Sequence, residues 1–414
     1  MFPSFHRSIL PGLALAVLSA PAAAAPYAAG VRYPLPTNDT DPRGAFRTHL
    51  RVVDDLNADG RRDLAIAVPQ VAVQVLASGP SRTFASSSVG NAAASALATG
   101  DFDGDGDIDL VVADATAFRL LAGSGDGRFE TRTTVNLDVL GPHACVEDLV
   151  AGDFDGNGDL DVAVIDADPL NNFRFWNGGA GGSMLYRNSV AVAYGLGDGR
   201  FDTTRPRIGV AAYPQRLVAV DFERDGRPEL VAVGAESKTV QVAFNNQTHP
   251  LGSQYRSVLL HASIEHADIL DVAAGNLDGD TKPDLGVLFY SHDPDIDGRR
   301  YRLQSYRNTA TGAQSFAYTS PSPAIAFDAA PGAVVLADVV GDGSVDAVVT
   351  TRRDDRPAVT IYPGDGAGGF GAPDALPERY AADDLVAADF DNDGKTDLAV
   401  VDRSRHAIVV YWHL

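Results

Sequence analysis

The chain has 414 residues, is 45% hydrophobic and carries a formal net charge of −22. This hydrophobic content allows a large core and argues against a disordered chain. The acidic balance, without a basic stripe to meet phosphate groups, argues against nucleic acid as a partner. The single cysteine, Cys145, excludes an intrachain disulfide.

The first residues have the composition of a secretory signal peptide. His6 and Arg7 form a short polar start, Ile9–Ala20 is apolar, and Ala22–Ala24 fit the small-residue cleavage rule. The apolar stretch is too short to span a membrane, and no later run is long enough. We therefore predict a signal peptide over residues 1–24 and one domain over residues 25–414, secreted, periplasmic or at the cell surface.

An acidic stretch, DFDGDGDIDL, follows at Asp101–Leu110 and places five carboxylates in nine residues. Burying unpaired carboxylates is very costly, whereas Ca²⁺ accepts six to eight oxygen ligands from a flexible loop. Asp101, Asp103 and Asp105 alternate around a tight turn in which Gly106 supplies the bend. The backbone carbonyl of Asp107 and the side chain of Asp109 would complete a Ca²⁺ site.

Similar stretches recur along the chain at intervals of about 46 to 68 residues, a period that predicts a propeller, a solenoid or an array. Seven loops open at Asp55, Asp101, Asp153, Asp221, Asn276, Asp338 and Asp389. A β-prone run with small residues precedes most loops, two further runs follow, and a Gly-Asp-Gly turn often starts a fourth. Four short strands per repeat predict a propeller blade.

The chain ends predict how the ring closes. The last repeat has only three predicted strands, the third at Ala407–His413, and Val31–Leu35 can supply the missing fourth. This pairing would remove an open sheet edge. The predicted fold is all-β: a seven-bladed β-propeller of four-stranded antiparallel blades, in which an N-terminal strand closes the last blade.

With these loops, strands and turns, nearly all of the mature chain resembles FG-GAP/VCBS repeats, the blades of the integrin α-subunit propeller and of many exported bacterial proteins. The resemblance implies Ca²⁺ in each loop between strands 1 and 2. It implies side-chain ligands at loop positions 1, 3, 5 and 9 and a backbone carbonyl ligand at position 7. In five loops these positions are Asp55, Asn57, Asp59, Arg61 and Asp63; Asp101, Asp103, Asp105, Asp107 and Asp109; Asp153, Asp155, Asn157, Asp159 and Asp161; Asn276, Asp278, Asp280, Lys282 and Asp284; and Asp389, Asp391, Asp393, Lys395 and Asp397.

Three loops depart from the pattern. Thr281 replaces the usual glycine in the fifth loop, which puts its turn in question. The fourth loop has the longer side chains of Glu223 and Glu229, and the sixth has Val340 at position 3. We expect the sixth loop to bind Ca²⁺ weakly or not at all.

Two other interpretations of the loops remain open. An EF-hand-like loop also begins with alternate acids, but it needs an acid at position 12 and flanking helices. That position is Val112, Val164 or Val400 in three of the loops. Alternatively, the loops are acidic turns without metal, because Asp and Gly are common turn residues.

Two long connections between predicted strands 2 and 3 are candidates for ligand binding. Asp166–Ser183 contains Asn172, Phe173, Arg174 and Trp176, which suit a sugar or a peptide, although the aromatics could simply cover a blade edge. Tyr290–Arg300 contains His292 and Asp295, which could bind a ligand or form a solvated charged run.

The predicted function is that of a binding or adhesion module, a monomer whose Ca²⁺ is structural and whose partner is a glycan or an extracellular protein. The alternatives are a carbohydrate-active enzyme, either a polysaccharide lyase or a glycosidase, and a purely structural component. The sequence lacks the G-x-S-x-G, H-E-x-x-H and P-loop signatures, whereas acid pairs are plentiful. The sequence therefore leaves enzymatic activity undecided, without a specific catalytic residue.

Overall fold

The computed structural model describes residues 26–36, 49–53, 55–68, 71–89, 94–114, 117–136, 145–167, 189–205, 208–209, 214–234, 239–243, 245, 251, 255–259, 267–291, 299–309, 318–320 and 323–414. These residues form strands, turns and bends, with no α-helix among them. The strands make seven antiparallel sheets, which confirms the predicted seven blades.

The strands follow the chain blade by blade, after an N-terminal strand β1 (Val31–Pro34). Blade 1 contains β2 (His49–Val53), β3 (Asp63–Val68), β4 (Ala72–Gly79) and β5 (Thr83–Val89). Blade 2 contains β6 (Ala96–Gly100), β7 (Asp109–Ala113), β8 (Ala117–Gly123) and β9 (Phe129–Asn136). Blade 3 contains β10 (Cys145–Gly152), β11 (Asp161–Ala167), β12 (Ser189–Gly195) and a fourth strand in two pieces, β13 (Phe201–Asp202) and β14 (Ile208–Gly209).

The remaining blades repeat this order. Blade 4 contains β15 (Pro214–Val220), β16 (Glu229–Gly234), β17 (Thr239–Ala243) and β18 (Tyr255–Leu259). Blade 5 contains β19 (Ala267–Gly275), β20 (Asp284–Ser291), β21 (Tyr301–Asn308) and the split fourth strand β22 (Tyr318–Thr319) and β23 (Ile325–Phe327). Blade 6 contains β24 (Pro331–Ala337), β25 (Asp346–Thr351), β26 (Val359–Tyr362) and β27 (Asp374–Ala375), and blade 7 contains β28 (Ala382–Ala388), β29 (Asp397–Asp402) and β30 (Ala407–Tyr411).

The N-terminal strand closes the ring as predicted. β1 pairs antiparallel with β30, with Val31 opposite Val410 and Pro34 opposite Ala407. The first strands of all neighbouring blades contact one another, including β28 with β2 across the closure. The first strand of each blade is therefore innermost, where the small residues of the sequence suit a crowded axis.

The hydrophobic core lies between blades. Between blades 2 and 3, for example, Val111 and Phe118 pack against Leu149 and Val162. The second loop residue of each blade is buried, and six of the seven belong to the cluster shared with the next blade: Leu56, Phe102, Phe154, Phe222, Val339 and Phe390. Six of the seven acidic loops therefore anchor their blade to the next one through an apolar side chain.

Buried acids on the innermost strands also connect blades. Asp148 of blade 3 accepts a hydrogen bond from the Leu217 amide of blade 4 (3.0 Å). Asp271 of blade 5 accepts one from Val334 of blade 6 (2.9 Å), and Asp384 of blade 7 accepts one from Leu50 of blade 1 (3.2 Å). Each of these three carboxylates lies at an irregular point of its own inner strand, where the ladder register shifts.

A recurring backbone hydrogen bond joins consecutive blades. The turn between strands 3 and 4 of one blade donates to the carbonyl of the second loop residue of the preceding blade, as in Gly127 to Leu56 (3.0 Å) and Gly199 to Phe102 (3.1 Å). Blade 7 lacks such a turn because its fourth strand is β1. There the Tyr27 hydroxyl lies 3.1 Å from the Val339 carbonyl and 2.8 Å from the Thr396 carbonyl.

Replacing Tyr27→Phe should therefore lower the free energy of unfolding by about 1–3 kcal/mol, since the two partly buried carbonyls lose the one hydroxyl proton that they share. Thermal or urea unfolding measures the change. Tyr301→Phe is the matched control, because the Tyr301 hydroxyl has no hydrogen-bond partner among the described residues. Equal stability of the two variants would contradict this role of Tyr27.

Candidate metal centre in the acidic loops

The seven loops between strands 1 and 2 share one backbone conformation. The residue at position 6 has positive φ in every loop, from 76° at Thr281 to 94° at Gly158. The residue at position 4 is also positive in all seven, including the non-glycine residues Ala58, Arg224 and Asn392. Thr281 therefore does not abolish the turn of the fifth loop, although this conformation strains a β-branched residue.

The acids at positions 1 and 5 hold this backbone in place. In the second loop, the Gly106 amide donates to Asp101 Oδ2 (3.0 Å) and the Asp107 amide donates to Asp105 Oδ1 (2.9 Å). The bond from position 7 to position 5 is present in all seven loops. The bond from position 6 to position 1 is present in six, and the exception is the fifth loop, which begins with Asn276.

The acid at position 9 is fully buried in every blade. Its carboxylate accepts the amide of position 2 and, in six blades, also an amide at the end of strand 3, at distances of 2.7–3.1 Å. In blade 2, for example, Asp109 accepts from Phe102 and Gly123. One carboxylate thus joins the ends of strands 1 and 3 to the start of strand 2.

Three loops bring potential metal-ligand oxygens together. In each of them, carboxylate oxygens from positions 1, 3 and 9 lie within 4.8 Å of one another: Asp101, Asp103 and Asp109; Asp153, Asp155 and Asp161; Asp389, Asp391 and Asp397. Because Ca²⁺ binds oxygens at about 2.3–2.6 Å, such oxygens are close enough to share one ion. These residues fit a hard dication.

The other predicted ligands are not members of these three carboxylate groups. Position 5 side chains, such as Asp105, are engaged with the position 7 amide. The first loop has Asn57 at position 3, and the fifth loop has Asn276 at position 1 with a buried, unpartnered Oδ1. That unpartnered oxygen leaves room for a further ligand contact in the fifth loop. Ligand roles for positions 5 and 7, and for these two loops, remain predictions.

Arginines that the sequence analysis missed lie beside the position 3 acids. Arg132 pairs with Asp103, and Arg205 Nη2 lies 2.7 Å from Asp155 Oδ2. Arg82 of blade 1 reaches Asp391 of blade 7 (2.7 Å), and Arg307 reaches Asp278 (3.4 Å). Every loop with Asp at position 3 therefore has a guanidinium neighbour, with which an ion would compete for the carboxylate.

The fourth and sixth loops differ from the other five as the sequence suggests. Glu229 keeps the bond from the Phe222 amide (2.9 Å), but its buried Oε1 has no partner. The equivalent of the strand 3 donor, Asn245, donates its side-chain Nδ2 to the Pro228 carbonyl instead (3.0 Å). In the sixth loop Val340 offers no ligand oxygen, and its amide donates to Asp346 (2.9 Å).

Burial makes these position 9 acids weaker acids. It raises the pKa of Asp109 and of Asp397 to about 6, of Asp161 to about 7 and of Glu229 to about 8, in opposition to the hydrogen bonds from backbone amides. Neighbouring loop acids raise these pKa values further. A nearby dication would favour the charged forms.

The predicted ligand-binding residues Asn172, Phe173, Arg174, Trp176, His292 and Asp295 lie outside the described residues, as does the predicted signal peptide. Within the described residues, no helix combines the length and apolar character that a membrane crossing requires.

The fold and the site define a seven-bladed propeller with an acidic loop in each blade. The FG-GAP-like repeat model matches residues 55–112, 101–164 and 338–400, which begin at the first acids of loops 1, 2 and 6. These three matches and the seven blades fit an FG-GAP repeat β-propeller. No curated protein matches its sequence.

Several solved structures share the fold. The crystal structure of BBS1N in complex with ARL6DN, soaked with lead, has a TM-score of 0.59 and 10% identity over 95% of this chain and 98% of that chain. A lectin from Agrocybe aegerita, which recognises non-reducing terminal N-acetylglucosamine, has a TM-score of 0.50 and 15% identity over 80% of both chains. At these identities the similarity shows the fold alone.

Replacing Glu229→Gln should change how stability depends on pH. The folded-state pKa of Glu229 lies above the ordinary value of 4.5, so the folded state binds the extra proton and wild-type stability falls as pH rises from about 4.5 to 8. The variant cannot ionise, so its stability relative to the wild type should increase across this window, by on the order of 1–3 kcal/mol.

Unfolding in chelator at a series of pH values tests this prediction. Glu130→Gln is the control, because it removes the same charge from an exposed side chain of β9. If the unfolding free energies of wild type and Glu229→Gln change in parallel with pH, the raised folded-state pKa of Glu229 is contradicted.

Proposed function

We propose that this chain is an exported, calcium-stabilised propeller that binds a glycan or a protein on the face formed by the 2–3 and 4–1 loops. The observation that carries the calcium part is the convergence of three carboxylates within 4.8 Å in each of three loops. Calcium would neutralise these acids and fix strand 1 to strand 2. The role of the metal would therefore be structural.

Export is supported by the N-terminal sequence. His6 and Arg7, the apolar Ile9–Ala20 and the small residues up to Ala24 have the order of a cleavable signal. Extracellular calcium is in the range at which weak loop sites are occupied. The mass of the protein recovered after secretion, expected to begin near residue 25, checks this part of the proposal.

The binding role is supported by the way the propeller divides its two faces. The acidic loops and the 3–4 turns occupy one face, where buried carboxylates join strand ends within a blade and backbone bonds join the turns to the preceding blade. The opposite face carries the 2–3 connections within blades and the 4–1 connections between blades. Propellers of similar fold bind partners of both kinds, since one is in complex with ARL6DN and another recognises N-acetylglucosamine.

Calcium should raise the melting temperature of the wild type, and chelator should lower it, because an ion that binds only the folded state stabilises it. At one hundred times the dissociation constant the gain per site is about 2.7 kcal/mol. The double variant Asp101→Asn with Asp103→Asn should bind one fewer ion in calorimetric titration.

Two controls accompany this titration. Asp126→Asn removes an exposed acid of the neighbouring 3–4 turn and should leave the stoichiometry unchanged. Val340→Asp supplies the missing position 3 oxygen of the sixth loop and should add one ion. The calcium proposal fails if chelator leaves the melting temperature unchanged and Val340→Asp gains no ion.

Screening calcium-loaded protein against a glycan array and extracellular proteins tests the binding role. Trp176→Ala should weaken binding at least tenfold if the Asp166–Ser183 connection contacts the ligand, because an aromatic anchor is removed. Trp412 is buried between blades 1 and 7, so its fluorescence reports whether the Trp176→Ala variant is folded. Unaltered affinity of Trp176→Ala would remove this connection from the site, and release of shortened glycan products would replace binding with catalysis.

A further inference from the structure

Blades 6 and 7 form an arginine-rich patch on the 2–3/4–1 face. The 2–3 turn of blade 6 has the sequence RRDDR over residues 352–356, and that of blade 7 has DRSRH over residues 402–406. The link between these blades adds Arg379. We call the following six residues the arginine seam: Arg352, Arg353, Arg356, Arg379, Arg403 and Arg405.

Ionic and hydrogen-bond contacts make the seam continuous across the two blades. Asp383, on the innermost strand of blade 7, lies 3.0 Å from Arg352 Nε and 3.7 Å from Arg403 Nε. Arg379 Nη1 donates to the carbonyl of Asp355 (2.9 Å), which fixes the inter-blade link against the turn of blade 6. The seam is therefore a fixed surface that extends outward from the inner strand.

Carboxylates within the seam leave positive charge available. Asp355 binds Arg353 through both oxygens (2.8 and 2.6 Å), and Asp402 binds Arg405 (2.9 Å). Arg356 and Arg379 are both exposed, and neither makes an ion pair within the described part of the chain. Two guanidinium groups with free donors thus face solvent, in a protein whose net charge is −22.

We propose that the arginine seam binds the carboxylates of an anionic, uronate-bearing oligosaccharide. This inference rests on the proposed binding function and specifies the ligand class and its place on that face. A guanidinium presents a planar fork of donors that matches a carboxylate, and several forks in a row suit a glycan with repeated acidic units.

The composition of the seam favours a sugar over a protein partner. Protein interfaces depend on a few large apolar or aromatic anchors at their centre. Among the described residues, the exposed large hydrophobic side chains are Val31, Leu196 and Leu414, and none lies in the segments of the seam. The seam therefore recognises its ligand through charge and hydrogen bonds.

The limited extent of the arginine seam argues against a nucleic acid or a membrane as its ligand. Binding to a duplex depends on neutralising several phosphates along a basic track, and a strongly negative protein repels a long polyanion outside the short basic patch. An anionic bilayer presents the same long-range repulsion. A short acidic oligosaccharide can contact the seam alone.

The test measures binding of oligogalacturonate and of a hyaluronate oligomer to the calcium-loaded protein at low salt. Binding should weaken at least tenfold in Arg356→Ser with Arg379→Ser, and methyl-esterified oligogalacturonate, which lacks the charge, should bind at least tenfold more weakly than the acid. Arg356→Lys with Arg379→Lys should give an intermediate affinity, because lysine keeps the charge but not the fork.

Arg128→Ser with Arg200→Ser is the matched control. It removes two exposed arginines from 3–4 turns on the opposite face and should leave affinity unchanged. Melting temperatures confirm that each variant is folded. Equal affinity of wild type and the Arg356/Arg379 serine variant overturns the proposal, as does binding to duplex DNA or phosphatidylglycerol vesicles without binding to uronates.

The outcomes separate this inference from the proposed function. If no uronate binds but a neutral glycan or a protein does, the arginine seam is wrong and the binding module stands. If neither calcium nor any glycan or protein binds, the proposed function itself fails.

Discussion

The propeller depends on a carboxylate buried at the same point of every blade. An ionised carboxylate is costly to remove from water, and each of these is stabilised by backbone amides that would otherwise be unsatisfied themselves. Asp109, for example, holds the Phe102 and Gly123 amides and thereby fixes three strand ends at once. The same requirement explains why the loop sequence recurs, since every blade needs a buried carboxylate to accept the backbone amides at this point.

The loop acids divide their work by position. The acids at positions 1 and 5 shape the turn, and the position 9 acid joins the strands. The apolar side chain at position 2 packs against the next blade. Asp101, Asp103 and Asp109 nevertheless keep oxygens close enough together to suit a cation. Structural hydrogen bonds and metal binding are compatible here, because each carboxylate oxygen has more than one lone pair.

Local sequence was sufficient for the fold and for much of the loop. The repeat period, the alternation around Asp101–Asp109 and the unpaired strand near Val31 are all visible within short windows, and each corresponds to a feature of the structure. Thr281 put the turn of the fifth loop in question, but the structure holds this residue in the same turn as its glycine counterparts. Hydrogen bonds such as that from Lys282 to Asp280 help to offset the strain.

Contacts between distant segments were not visible in the sequence. Arg82 reaches Asp391 across the ring closure, a pairing that only the circular order of the blades brings about. The arginine seam combines two turns about fifty residues apart with the link between their blades. The sequence shows no basic stripe there, because the arginines are interspersed with acids and converge only after folding.

The pairing of β1 with β30 has a consequence for the folding pathway. Val31 and Val410 are neighbours in the final sheet but are separated by nearly the whole chain. Bringing such remote segments together costs loop-closure entropy, and long-range β pairing is intrinsically slow. Six blades can form from contiguous sequence while the seventh still exposes a bare edge on β30. Until β1 pairs with β30, this unpaired strand edge can pair with another chain. The propeller is therefore most prone to aggregation just before the ring closes.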